Sequence, residues 1–218
     1  MRKLRTLAIV GALALVFAGC SDDDDDFTTV IIQTLSDQPA DGNIGFSPLL
    51  PPDSQYTISQ ADITKSLLFG IDPEDPDGTE FRAFLDFPLD GSNGGGSVPL
   101  DAEIVSADIV VWVNNGILAS AVQTLLDLVW LPLTDGLRFT YFNSDPIATR
   151  TPFNFFPEDI TEFVPIDVTS LMVEAQRLEL PDLQLRFLLD FVPGAAGLVE
   201  LYDGDDPDWA PLLTVEYR

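Results

Sequence analysis

Asp203-Gly204-Asp205-Asp206-Pro207-Asp208 places four carboxylates within six residues, directly before Trp209. Calcium takes six to eight hard oxygen ligands at about 2.3–2.6 Å, and clustered loop carboxylates provide them. Asp203, Asp205, Asp206 and Asp208 are therefore the candidate metal ligands, for calcium. The spacing is not that of a helix–loop–helix calcium loop. Pro207 falls at a ligand position and Asp208 where glycine is required, so a solvated acidic turn is the competing reading. Other chemistry is limited by what the chain lacks. It has no histidine, which removes Ser-His and Cys-His nucleophiles, imidazole ligands and the usual neutral-pH base. Zinc sites built from Cys and His fall with it. Paired carboxylates hydrolyse glycosides, but among 36 acidic residues a close pair arises by chance. No catalytic residue is assigned, and the expected protein is not an enzyme. Trp130, Tyr141 and Trp209, each flanked by loops, are the candidate ligand platform. Such rings stack on sugar faces, because both surfaces are apolar with polar edges.

The single cysteine, Cys20, gives an address. Arg2, Lys3 and Arg5 form a positive leader, and Leu7 to Ala18 is a small, apolar run. That run is shorter than the roughly 20 residues that span a bilayer; its length and flanks are those of a secretory signal peptide. Phe17-Ala18-Gly19-Cys20 resembles the bacterial lipobox. The resemblance implies removal of residues 1–19, a thioether diacylglycerol on the Cys20 sulfur and an acyl chain such as palmitate on the new N-terminus. A lone exported thiol has no disulfide partner that would otherwise explain it. Two or more chains make a stable anchor, since each buried methylene contributes about 0.8 kcal/mol. The five aspartates 22–26 repel one another and stay extended. Residues 21–26 thus form a tether of up to about 20 Å, at roughly 3.3 Å per residue. Ser21, rather than aspartate, favours outer-membrane placement, and an acidic run at this point resembles the surface-export signal of some Bacteroidetes lipoproteins.

Past residue 19, seven basic residues face 36 acidic ones, a net charge of about −29, and Lys65 is the one lysine left. Such a surface repels nucleic acid and anionic headgroups. It is compatible with neutral ligands, divalent cations or a protein partner. Residues 27–218 suffice for one domain with a full core.

The elements that must position these side chains read as short strands broken by turns. Phe27–Ile32, Phe81–Phe87, Ile104–Val113, Phe139–Phe142, Leu183–Leu189 and Leu212–Tyr217 are the candidates. Residues 51–53, 72–78 and 91–96 are loops by their proline, glycine and aspartate content. One short helix is expected near 167–176, with Asp167 or Thr169 as its cap, and residues 117–131 are open between helix and strand. Ile109-Val110-Val111-Trp112-Val113 is apolar on both faces, which predicts a central strand covered on both sides and Trp112 in the core. The sum is an all-β antiparallel sandwich.

The motif order adds a resemblance. Arg82 to Phe87, Val98 to Ile109, Trp130 with Thr134-Asp135-Gly136, Thr140 to Pro146, Ile166 to Leu171, Leu183 to Arg186 and Pro211 to Tyr217 follow the order of the DNRLRE domain family. Pro88, Tyr141-Phe142 and the glycine-rich 91–96 segment depart from its pattern. What the resemblance implies is a jelly-roll sandwich, in a family that includes carbohydrate-binding modules. The expected protein is a lipid-anchored envelope module binding neutral carbohydrate or an envelope polymer; the alternative is a structural lipoprotein that presents its sandwich to a protein partner. Cys20→Ala should abolish lipid labelling and leave the precursor uncleaved or soluble. Wild-type membrane pelleting by that variant, with no labelled lipid on the parent, would refute the anchor.

Overall fold

The computed structural model describes residues 28–132, 136–190, 197–204 and 206–218. The leader, Cys20 and its tether, Thr134, Asp135 and Asp205 lie outside the described residues. In chain order the strands are β1 (Val30–Leu35), β2 (Gly42–Phe46), β3 (Tyr56–Gln60), β4 (Ser66–Ile71), β5 (Glu80–Pro88), β6 (Ile104–Ile117) and β7 (Val122–Val129). They continue with β8 (Ala148–Thr149), β9 (Phe153–Phe155), β10 (Phe163–Asp167), β11 (Asp182–Leu189), β12 (Leu198–Tyr202) and β13 (Leu212–Tyr217). Among the described residues the α-helices are α1 (Ala61–Thr64) and α2 (Thr169–Arg177). The expected all-β, sandwich-like fold is what forms, with a second, one-turn helix beside the one anticipated.

Neighbouring strands follow the order β1-β13-β6-β12-β4-β5-β11-β7-β8, with β10 on β6, β9 on β7 and the β2–β3 hairpin on β5. The sheet curls because β6 belongs to both layers. Its residues 104–112 pair with β13 and β10, and its end, from Val113 to Ile117, pairs with β12. Ala107, Ile109, Val111 and Val113 of β6 face Leu85, Phe87, Leu126, Leu128, Leu185, Phe187, Leu213 and Val215 in the core. Each such buried side chain contributes about 1.5–3 kcal/mol. Helix α2 adds Leu171, Met172 and Ala175 to this core. Its first turn sits on β6: Val168 N–H donates to the Ala107 carbonyl (2.8 Å) and the Thr169 hydroxyl accepts from Ala107 N–H (3.0 Å). The N-cap residue is Val168, which makes no side-chain cap bond, so neither expected residue is the cap; Asp167 Oδ1, one residue earlier, takes the Thr169 N–H (2.9 Å).

The glycine-rich segment is an edge cover rather than a free loop. Gly96 N–H donates to the Gln33 carbonyl (3.0 Å) and Asn93 Nδ2 to the Leu35 carbonyl (2.6 Å). A Cβ on Gly95 would lie 2.7 Å from Thr34 Oγ1. The contact occupies hydrogen-bonding groups that an edge strand otherwise leaves open to other chains.

Residues 139–142 are not a strand. Phe139–Tyr141 is a 3-10 turn, and the reason lies beneath it. Arg186 of β11 is buried and paired to Asp127 of β7 at 2.6 Å, with side chains 3% and 5% exposed. Its Nη1 donates to the carbonyls of Tyr141, Phe142 and Ser144 at 3.3, 3.2 and 2.8 Å. A turn directs those carbonyls to one guanidinium; a strand alternates them. Residues 117–131 resolve as a turn into β7. Breaking the Arg186–Asp127 pair leaves a buried charge unmatched, which costs about 3–5 kcal/mol. Arg186→Met should lose that much in urea unfolding, and adding Asp127→Asn should return part of it. A single variant within about 1 kcal/mol of wild type would show the pair to be dispensable.

Candidate functional site

Strand β6 places Trp112 on the face opposite the core, between Val110 and Asn114. Trp112 is therefore not a core residue as expected. The strand is central, with partners on both edges, but among the described residues no second layer covers its outer face. Two aromatic rings partly cover it instead. Phe163 of β10 pairs directly with Trp112 across the ladder, ring centroids 4.8 Å apart and nearly edge-on. Trp209 approaches from the loop before β13, 4.2 Å from Trp112 and T-shaped to it. Phe163 and Trp209 lie parallel within 13°, 5.5 Å apart. Phe163 keeps 47% of its surface in solvent and Trp209 37%.

The Trp209 loop is built to hold its ring there. Asp208 N–H donates to Asp206 Oδ1 (3.1 Å), and the N–H groups of Trp209 and Ala210 donate to the Asp206 carbonyl (3.1 and 3.2 Å). The chain then enters β13, where Leu212 pairs with Val110 of β6. Tyr202 of β12 leans over Gly204, where any Cβ would collide with its ring and hydroxyl. Trp112, Asn114, Tyr202, Asp206 and Trp209 line an open depression of about 350 Å³. Asn114 Nδ2 donates to Glu200 Oε1 (3.0 Å) beside it. The arrangement offers an aromatic surface bordered by amide, phenol and carboxylate groups, which suits a ligand with one apolar face and polar edges.

No protein-family model matches this chain, and no curated protein does.

Of the expected platform residues, Trp209 is the one in this cluster. Trp130 follows the end of β7 and is 50% exposed, and among the described residues no ring contact places it beside the others. Tyr141 is not open. It is 8% exposed and packs with Ala40, Ile44, Phe84, Val129, Leu131, Leu137 and Phe142, because its segment is drawn down onto Arg186. Its hydroxyl donates to the Pro132 carbonyl (3.3 Å). Phe163 was missed, although its position opposite an aromatic on a neighbouring strand is what assembles the site. The four candidate calcium ligands separate. Asp203 is 1% exposed and faces inward, whereas Asp206 and Asp208 lie on the surface, and Asp205 is outside the described residues. Among the described residues no three His, Cys, Asp or Glu side chains converge as a metal-binding group.

Asp203 instead meets Asp41 of the β1–β2 turn. Asp41 Oδ1 accepts the Asp86 N–H (2.6 Å), and Gln38 Nε2 donates to the Asp203 carbonyl (2.6 Å). As carboxylates, Asp41 and Asp203 would each leave Oδ2 buried without a donor; a proton held between the two carboxyls would supply it, consistent with both being pushed upward. Burial, then repulsion from Asp203, pushes the Asp41 carboxyl well above its ordinary range. Burial likewise raises Asp203 to about 6, against the pull of the Asp41 hydrogen bond and Lys65. Asp86 reaches about 7, through burial and the neighbouring charge of Asp182. Two carboxyls sharing a proton can serve as an acid–base pair, but with Asp41 wholly buried this one is sealed from substrate.

The sign of the linkage follows from those shifts. The folded chain holds protons that the unfolded chain releases near 3.8, so the stability they confer is complete below that pH. It is lost as pH rises through about 6 and then about 7. The melting temperature should therefore fall by several degrees between pH 4.5 and pH 8. Asp41→Asn supplies a non-titrating donor in place of the shared proton, so it should raise the pH 8 value and flatten the slope. An unchanged slope in that variant would show that the pair does not govern it.

Proposed function

We propose that this protein is a non-enzymatic, lipid-anchored binding module of the cell envelope, and that it recognises carbohydrate on the Trp112–Phe163–Trp209 face. One observation carries the reading: two parallel, partly exposed rings, Phe163 and Trp209, stack on each other and are braced by Trp112, and Asn114, Tyr202 and Asp206 border Trp112 and Trp209. Burying an aromatic against a partner contributes apolar area and a preferred geometry, and the polar border selects among the sugars that fit. The DNRLRE resemblance points the same way, since that family includes carbohydrate-binding modules. A lipid on Cys20 and the aspartate tether would hold this face clear of an outer membrane.

On a glycan array the purified protein should bind a ligand whose affinity falls at least tenfold in Trp209→Ala. The melting temperature of that variant should move by only a few degrees, because the ring is partly exposed. Trp130→Ala should leave binding unchanged. Loss of binding in Trp130→Ala with retention in Trp209→Ala would place the site elsewhere and overturn the reading.

A further inference from the structure

The charge around the aromatic depression narrows the class of sugar. Among its described lining residues Asp206 is acidic and none is basic. Glu200 stands beside Asn114, and Asp208 is next to Trp209 on the same loop. Glu162 directly precedes Phe163, and its backbone carbonyl accepts the Val113 N–H at 3.1 Å. Arg82 pairs with Glu80, Arg177 with Glu174, Arg186 with Asp127 and Arg218 with Glu103, and neither these arginines nor Arg138 is among the described lining residues. Arg150 lies over Phe153 and donates to the Asp167 carbonyl. Lys65, the one lysine outside the leader, is next to Ser66, which pairs with Tyr202, and its carbonyl accepts the Asp203 N–H at 3.1 Å; it is not among the described lining residues.

The rings and the carboxylates pull in the same direction. An aromatic face carries negative quadrupole charge, so it attracts a cation as well as an apolar surface. A ligand carrying a positive group beside a flat apolar face would meet both attractions in one place. A neutral sugar would use only the stacking, and an acidic sugar would be repelled.

Resting on the carbohydrate reading above, we propose that the depression lined by Trp112, Asn114, Tyr202, Asp206 and Trp209 selects a sugar bearing a protonated amine. The sugar face packs on the exposed surface of Trp209 and Phe163, and the ammonium sits at the Asp206 carboxylate. One exposed cation–π contact and one exposed ion pair together amount to roughly tenfold in affinity.

The test is calorimetric titration of the full-length protein in detergent at pH 5.5, with three β-1,4-linked hexamers of glucosamine, N-acetylglucosamine and glucose. The expected result is that the glucosamine hexamer binds about tenfold or more tightly than the other two. Asp206→Asn should cut that difference to roughly threefold, the share left to the cation–π contact, and leave the affinity for the N-acetylated hexamer in place. Trp209→Ala should abolish binding of all three. Equal affinity for the three hexamers would overturn the amine preference while the carbohydrate reading stands. Glucosamine binding that survives both Asp206→Asn and Trp209→Ala would overturn it too, as attraction to the acidic surface at large. Failure of every hexamer to bind at millimolar concentration, together with a blank glycan array, would sink both readings.

Discussion

The aromatic face depends on the two-residue period of β6. Successive side chains of a strand point to opposite faces, so burying Ala107, Ile109, Val111 and Val113 obliges Val110, Trp112 and Asn114 to face outward. Slipping the register by one residue would exchange the two sets, and the core forbids it. The partners inherit their positions from this strand. Phe163 is opposite Trp112 because β10 pairs in that register, and Trp209 arrives three residues before the Leu212–Val110 pair. Tyr202 closes the group where β12 changes register on β6 between Glu200 and Leu201. Three separate chain segments are thus aligned by one strand.

Acidic residues are divided between two environments. Most lie on the surface, where water screens them. Asp41, Asp86 and Asp203 are inside, where shedding charge is less costly than keeping it. Asp127 is inside as well but stays balanced by Arg186, which also gathers the 141–144 carbonyls. One arginine therefore both neutralises a buried acid and clamps a loop over the outer face of β5, β7 and β11.

Strands β5, β11 and β13 were legible because each alternates apolar residues between recognisable turns, and β6 because it carries a long apolar run. Strands β2, β8 and β9 were not, since each is five residues or fewer and gains its order from a neighbour. Pro165 disguised β10, because proline is expected only at sheet edges; β10 pairs with β6 alone, so its free side tolerates it. That disguise hid Phe163 and, with it, the reason Trp112 can be outward without being fully exposed. Trp209 was legible from its loop. The Asp41–Asp203 pair was not, because nothing in a linear sequence brings two distant aspartates together or marks which acids fold inward.

The pairing of β1 with β13 bears on how the molecule would resist force. Val30 is opposite Tyr217 and Leu35 opposite Leu212, so the starts of the two strands lie at opposite ends of the pair. With an anchor at Cys20 and a polymer held at Trp209, tension would enter at both of those starts and slide the strands past each other. All six residue pairs would then share the load together. The opposite attachment would peel them apart one at a time, as a zipper opens. A cell bound through this face would be pulling on the molecule in its mechanically stronger direction.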